Sequence, residues 1–413
     1  MITFSEKAKN CIVKANNVGW DISLNTIKEL LNILDNPQDK IKTVHVTGTN
    51  GKGSTCTFLN QILIEAGYKV GKYMSPAVAD ERERYTINNE WISEQAYSDI
   101  IEAIAVAADI VEMKGFRYPS LFEIETVLAF LYFEKSGCDI AIIEVGMGGM
   151  EDATNVMHSP LACLFTPIGL EHKAWLGDTL EAIASNKSGI IKDNAFVVSA
   201  KQENAVASVL KDVAKAHMSD IVFAEPLSEN ISLGLTGSYQ LQNAAVAREC
   251  ALYLRTKGFN IADAALKAGL ENARLPFRFE TISDNPKIIL DGAHNLPAVL
   301  ALKDSINKSL DKQSLTFVIS VLADKDFDKM CQEILPLAHN IVLVQSDSPR
   351  AMELNAMKSI AKKHFHGDIK TASSFNEAAD IASAQNDDAI VCFGTFTFLK
   401  EMRDTFHRII DIM

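Results

Sequence analysis

The sequence predicts an α/β protein of two domains, each built on a mostly parallel sheet. Short apolar runs of strand length alternate with longer segments of helical periodicity, which argues for βα units with both sheet faces covered. That rhythm is interrupted once, over 272–286, and then restarts. The length of 413 residues exceeds the usual size of one domain.

In the first rhythm the strand-like runs fall at 44–47, 70–73, 140–145, 162–165 and 196–199. Helical patterns occupy 55–66, 94–111, 121–133 and 179–191 between them. The second rhythm places strands at 287–290, 316–321, 341–344 and 389–393. The interruption contains Leu275-Pro276-Phe277-Arg278 and Ser283-Asp284-Asn285-Pro286, whose turn-forming residues read as a linker. The boundary is therefore expected near 281–286, giving domains 1–283 and 284–413. Ligands of such folds gather at the carboxyl ends of the strands, which is where the polar residues discussed next fall.

Composition narrows the partners. Hydrophobic residues at 47% and charged residues at 23% are ordinary for a globular chain. Lys and Arg number 40 against 53 Asp and Glu, and a net charge of −13 argues against nucleic acid or an anionic membrane as partner. The first residues lack the basic-then-apolar pattern of a signal peptide, and no apolar run reaches the length of a membrane span. Seven cysteines without a Cys-x-x-Cys pair suggest small buried residues in a reducing compartment. The expectation is a cytoplasmic protein.

The most informative stretch is Val44-His45-Val46-Thr47-Gly48-Thr49-Asn50-Gly51-Lys52-Gly53-Ser54-Thr55. It reads as a buried strand, a glycine-rich turn and a helix start, an arrangement whose backbone N–H groups converge on phosphate oxygens. Lys52 adds charge and Ser54 offers a hydroxyl to magnesium. A standard phosphate loop would need glycine at Val46, and Gly53 intrudes before the hydroxyl, so a shortened loop is expected. The alternative is a glycine-rich turn with no ligand.

Glu144 ends the apolar run Ile140-Ala141-Ile142-Ile143, and a carboxylate there suits magnesium, which takes hard oxygen ligands. The following Gly146-Met147-Gly148-Gly149 is no dinucleotide fingerprint, because Glu151 stands where the third glycine belongs. His172 follows the next strand in Thr166-Pro167-Ile168-Gly169-Leu170-Glu171-His172. Lys187 reads from its surroundings as a solvated helix lysine. Asp291, in Leu290-Asp291-Gly292-Ala293-His294-Asn295, could accept from a ribose, with Asn295 capping the next helix and Arg278 meeting a phosphate. A capped βα turn without a ligand accounts for that run equally well.

Taken in order, these motifs resemble the Mur ligase superfamily and, within it, the dihydrofolate synthase/folylpolyglutamate synthase family. The matching pieces are the loop Gly48 to Ser54, Ser75-Pro76, Glu83-Arg84, Phe122-Glu123, Glu144 to Gly149, Asp152-Ala153-Thr154-Asn155 and Leu176-Gly177. They continue with Lys187 to Lys192, Gln240-x-x-Asn243-Ala244, Asp291 to Asn295 and Asp324-Lys325-Asp326. The resemblance implies a P-loop ATPase-like N-terminal domain with a mostly parallel sheet, and a smaller Rossmann-like C-terminal α/β domain. It implies an ATP-dependent amide ligase that joins L-glutamate to dihydropteroate, to reduced folates, or to both, through an acyl phosphate. Asn50, Gly51, Lys52, Gly53 and Ser54 would hold nucleotide phosphates, and Asn243, Arg278, Asp291 and His294 the rest of ATP. Ser54, Ser75, Glu144 and His172 would hold Mg2+, and a carbamylated Lys187 a second metal ion. Lys52, Lys187 and His172 would be catalytic, with Phe122 and Asp152 on the acceptor. The family is usually monomeric, and its domain cleft closes over ATP.

The chain departs from the family pattern at Ala77 and Tyr239, where histidine is usual, at Met150 for arginine, Glu171 for aspartate and Phe277 for glycine. Asn186 replaces the acidic residue before Lys187. Two other readings remain at this point. A muramyl-peptide ligase would usually carry a further N-terminal domain, whereas here the first strand begins near residue 44. A nucleotide-binding protein of this fold without ligase activity is the other.

Overall fold

The computed structural model describes residues 5–19, 23–78 and 80–410. Its contacts divide the chain into two compact units, one of Met1–Ser232 with Gln242–Ala273, the other of Leu233–Leu241 with Arg274–Met413.

The first unit carries eight strands: β1 (Thr43–Thr47), β2 (Val70–Tyr73), β3 (Tyr85–Ile87), β4 (Glu90–Trp91), β5 (Ile140–Glu144), β6 (Ala162–Phe165), β7 (Phe196–Ala200) and β8 (Asp220–Ala224). They form one sheet in the order β4-β3-β2-β5-β1-β6-β7-β8. All neighbours run parallel except β2–β3 and β3–β4. β1, β5 and β6 are buried along their whole length, as expected of central strands covered on both faces. The β3–β4 hairpin was not anticipated. Its turn is Asn88-Asn89 with φ of 50° and 69°, the two left-handed residues of a tight hairpin that asparagine tolerates. β8 also escaped the reading, because its exposed Asp220 and half-exposed Ile221 dilute the apolar run at the sheet edge.

Helices complete the two faces. Leu121–Lys135 starts with a reciprocal cap in which Ser120 and Glu123 each bond the other's backbone N–H. It joins Glu94–Met113 in a core against one sheet face that includes Tyr73, Ala141 and Ile143. The phosphate-loop helix, Lys52–Glu65, packs on Asp263–Asn272, where a Cβ on Gly269 would stand 2.4 Å from the Ile62 Cα.

The second unit has β9 (Glu280–Asp284), β10 (Lys287–Asp291), β11 (Leu315–Ser320), β12 (Asn340–Val344), β13 (Ile369–Ala372) and β14 (Ala389–Gly394). The order is β13-β12-β11-β14-β10-β9, parallel but for β9. Of the stretch 272–286 read as a linker, the part over 281–286 where the boundary was expected lies in this antiparallel hairpin, with Asp284 opposite Lys287. Asn285-Pro286 marks a tight turn as readily as a linker, and the pairing is long-range information. The change of unit falls instead at Ala273–Arg274, and 233–241 joins the second unit. There Thr236 donates to the Phe279 carbonyl at 2.6 Å and the Ser238 N–H to Ser305 Oγ at 3.1 Å.

Candidate active site

Three turns at the carboxyl ends of β1, β5 and β6 are tied together by threonines at the end of β1. Thr47 Oγ1 donates to the Gly148 carbonyl at 2.7 Å, in the turn after β5. Thr49 donates its N–H to the Pro167 carbonyl and its hydroxyl to the Gly169 carbonyl, both at 3.0 Å, in the turn after β6. The shortened loop needs its glycines. Gly51 has φ of 91°, and a Cβ there would stand 2.2 Å from Asn243 Oδ1. A Cβ on Gly48 would stand 1.9 Å from Thr166 Oγ1. The helix then opens at Lys52, with Ser54 buried in its first turn.

Two lysines converge on this loop. Lys52 Nζ lies 3.3 Å from the carbonyls of Gly48 and Thr49. Lys187 Nζ donates to the same Gly48 carbonyl at 2.9 Å. Lys187 is only 4% exposed, so the solvated lysine expected from its surroundings is instead a buried amine. Burial and the Lys52 charge push it down to about 7, against a weaker pull upward from Glu171 and Asp152. The tertiary fold alone brings it here, since its segment joins the loop across some 140 residues of chain.

Glu144 is buried at the end of β5, and its Oε2 accepts from the Ser75 N–H at 3.3 Å. The carboxylate and the hydroxyls of Ser54 and Ser75 are hard oxygen donors, which fit Mg2+. Among the described residues no three or more His, Cys, Asp or Glu side chains gather as a metal cage. His172 is exposed and left-handed, with φ of 50°, at the start of the helix Lys173–Leu176.

Asp152 is a brace. Its carboxylate accepts from the N–H groups of Met147 and Thr154 at 2.8 and 2.9 Å and from the Thr154 hydroxyl at 2.5 Å. Since that hydroxyl donates to Asp152, the buried His45 donates through Nε2 to Thr154 Oγ1 at 2.8 Å. Burial pushes His45 down to about 3, so it is neutral at physiological pH. Sequence reasoning assigned nothing to His45, Thr47 or Thr154. The polar residues alternating with Val44 and Val46 in an otherwise apolar strand were the available signal.

A cavity of about 560 Å³ opens beside these turns within the first unit. Phe122, Trp175, Leu176 and Pro76 supply apolar wall, and Ser75, Arg84, Ser120, Glu123 and Asp152 supply polar groups. Phe122 lies on Gly146, where a Cβ would meet its ring at 2.4 Å. Asn186 also lines it and donates to Glu151 Oε2 at 2.8 Å. A carboxylate at 186 would repel Glu151, which accounts for that departure.

In the second unit Asp291 ends β10 and holds two turns. Oδ2 accepts from the Tyr239 hydroxyl and the Phe279 N–H at 2.8 Å, and Oδ1 from the Ala293 N–H at 2.9 Å. Tyr239, which stands where histidine is usual, thus serves Asp291 as a donor. Burial nevertheless raises the Asp291 carboxyl, with the Tyr239 bond and the Arg278 charge opposing it. The Arg278 guanidinium stacks over Phe396 at 4.7 Å, and the His294 ring meets Phe396 edge-on at 5.8 Å. Phe277 has φ of 61°, a conformation that costs a side-chain residue about 1–2 kcal/mol. Its ring is buried with the Arg403 guanidinium 4.8 Å above it, which offsets that cost.

Residues 46–251 match the Mur ligase middle domain and residues 277–396 the Mur ligase glutamate ligase domain. The class is therefore that of the Mur ligases. The dihydrofolate synthase/folylpolyglutamate synthase of Bacillus subtilis is 32% identical, covering 98% of this chain and 99% of the relative. Among solved structures, Mycobacterium tuberculosis folylpolyglutamate synthase complexed with ADP superposes with a TM-score of 0.88 at 26% identity, covering 97% of each chain. E. coli FolC in complex with DHPP and ADP gives 0.85 at 26% identity, covering 99% and 98%. The chain belongs to the dihydrofolate synthase/folylpolyglutamate synthase family. It is an ATP-dependent glutamate ligase acting on small molecules. No helix among the described residues is long and apolar enough to cross a membrane.

Proposed function

We propose that this protein adds L-glutamate to dihydropteroate, to the γ-carboxylate of reduced folates, or to both, through an acyl phosphate, as a cytoplasmic monomer. The observation that carries this reading is the pair of lysines on the Gly48 carbonyl, within the same unit as a cavity of mixed apolar and polar lining. The likeness to E. coli FolC, solved in complex with DHPP and ADP, supports a small-molecule acceptor alongside the nucleotide.

The chemistry asks little covalent work of the protein. A carboxylate is a poor electrophile until the γ-phosphate of ATP is transferred to one of its oxygens. The unprotonated glutamate amine then attacks that carbon, the C–N bond forms, the nitrogen gives up a proton to solvent, the C–O bond to phosphate breaks, and phosphate leaves with ADP already formed. Lys52, the N–H groups of the loop from Asn50 to Ser54 and the start of the helix Lys52–Glu65 offset the phosphate charge. Glu144, Ser54, Ser75 and His172 would hold Mg2+, which when bound neutralises charge on the transferred group. Phe122 flanks the acceptor ring, and Asp152 keeps the turn beneath it in shape.

Lys187 enters as a carbamate. An amine brought down to about 7 is substantially unprotonated at neutral pH. Its lone pair attacks CO2, an N–C bond forms, one proton leaves, and the side chain becomes an anion able to support a second metal ion. Arg278, Asp291, His294 and Asn243 serve the rest of the nucleotide; Asp291 Oδ1, which accepts one protein bond, keeps a lone pair for it.

The test is ADP release by the purified protein with Mg-ATP and L-glutamate, using dihydropteroate and tetrahydrofolate in parallel. Release requiring both acceptor and glutamate supports the reading, and the responsive acceptor assigns the activity. Silence with both acceptors, despite ATP binding, refutes it.

A further inference from the structure

Lys72 has no part in the chemistry above, yet it is a lysine inside a sheet. It lies in β2 at 6% exposure, between β3 and β5. Its register partner on β5 is Ile142. Alternate residues of a strand share a face, so Glu144, two residues beyond Ile142, projects on the same face as Lys72. With strands about 4.8 Å apart and a rise of about 3.3 Å per residue, the two Cα atoms are about 8 Å apart on the diagonal. That is within the combined reach of a lysine and a glutamate. The phosphate-loop helix covers this face, and its buried Cys56 thiol feels both groups, Glu144 pushing it up and Lys72 pulling it down. Burial brings Lys72 down to about 8, with Cys56 and Glu144 acting the other way, so the ammonium form persists at neutral pH.

We propose that Lys72 is a built-in counter-charge to Glu144, which keeps the carboxylate from capturing a free divalent cation and makes metal uptake depend on nucleotide. The inference rests on Glu144 being a metal ligand. With Lys72 charged, the pair presents no net charge to an arriving cation, and Lys52 adds further repulsion. ATP reverses the balance, because its phosphates bring several negative charges to the loop. The metal then enters as the nucleotide complex rather than ahead of it, and the site is not filled unproductively between turnovers.

The experiment is Mn2+ binding, followed by the electron paramagnetic resonance of the free ion, with and without ADP. It compares the unaltered protein with Lys72→Met, Lys72→Gln, Lys72→Arg and Glu144→Gln, each checked for a cooperative melt. Without nucleotide, Lys72→Met and Lys72→Gln are expected to bind Mn2+ at least roughly tenfold tighter than the unaltered protein, the scale of removing a unit charge near a divalent ion. Lys72→Arg is expected to stay as weak as the unaltered protein. Two neutral variants guard against a failure of either to fold. Unchanged affinity in the neutral variants, or tightening in Lys72→Arg as well, overturns the proposal. Glu144→Gln separates the premise: if Mn2+ binding with ADP survives it, Glu144 is no ligand and the premise fails. If that binding is lost while the neutral variants stay unchanged, the counter-charge alone fails.

Discussion

Replacing Lys187 with methionine keeps the length of the side chain and removes its amine, and the consequence for stability can be worked from the structure. The folded-state value is about 7 against an ordinary 10.5. A lysine whose folded pKa is depressed favours the neutral form, so the unfolded chain binds more protons between those two values. Stability therefore rises with pH across that window. For the two values given, the penalty is about 4 kcal/mol at pH 7 and about 2 kcal/mol at pH 9, a gain of about 2 kcal/mol. Lys187→Met should lack that gain while keeping every other titration. The assay is urea unfolding at pH 7 and pH 9 in CO2-free buffer, so that the free amine is the species present. Tryptophan fluorescence reports the first unit, since Trp91 and Trp175 belong to it. Stability of the unaltered protein should climb by about 2 kcal/mol more than that of the variant. Parallel pH dependence in the two proteins would refute the placement of a depressed amine beneath the loop.

Other consequences follow from single contacts. Gly51→Ala forces a residue with a side chain to φ of 91° and against Asn243, so it should cost at least about 1–2 kcal/mol and weaken ADP binding in calorimetry. Thr47→Val deletes the 2.7 Å bond to the Gly148 carbonyl and should cost about 1–3 kcal/mol by thermal or urea unfolding. Tyr239→Phe removes one of the three donors of Asp291 and should cost about 1–2 kcal/mol. Hydrogen exchange should then quicken at the Phe279 and Ala293 amides, with the first unit unaffected.

Much of the architecture was legible because buried parallel strands leave a strong local mark. The runs at 140–145, 341–344 and 389–393 are rich in apolar and β-branched residues, and the sheets contain them. β3, β4, β8, β9 and β13 were missed because two- or three-residue strands, polar edge strands and strands beside prolines carry weak periodic signals. Asn88-Asn89 was a readable hairpin signal that the reading passed over. The phosphate loop was legible down to its shortened form, since a strand, a glycine turn and a helix start are contiguous in sequence.

The sequence by itself determined which chemical groups stand at the strand ends, because a strand's burial and its terminal turn are local properties. Glu144, Asp291 and the loop from Gly48 to Ser54 were therefore placed before any coordinates. Tertiary structure alone decided which groups meet: Lys187 beneath Gly48, His45 on Thr154, and Tyr239 on Asp291. It alone also changed their character, turning a solvated lysine into a depressed amine and a ribose-ready aspartate into one already bonded three times. The physical reason is that burial and partner charges come from residues distant in the chain, and no local pattern encodes the dielectric a side chain will meet.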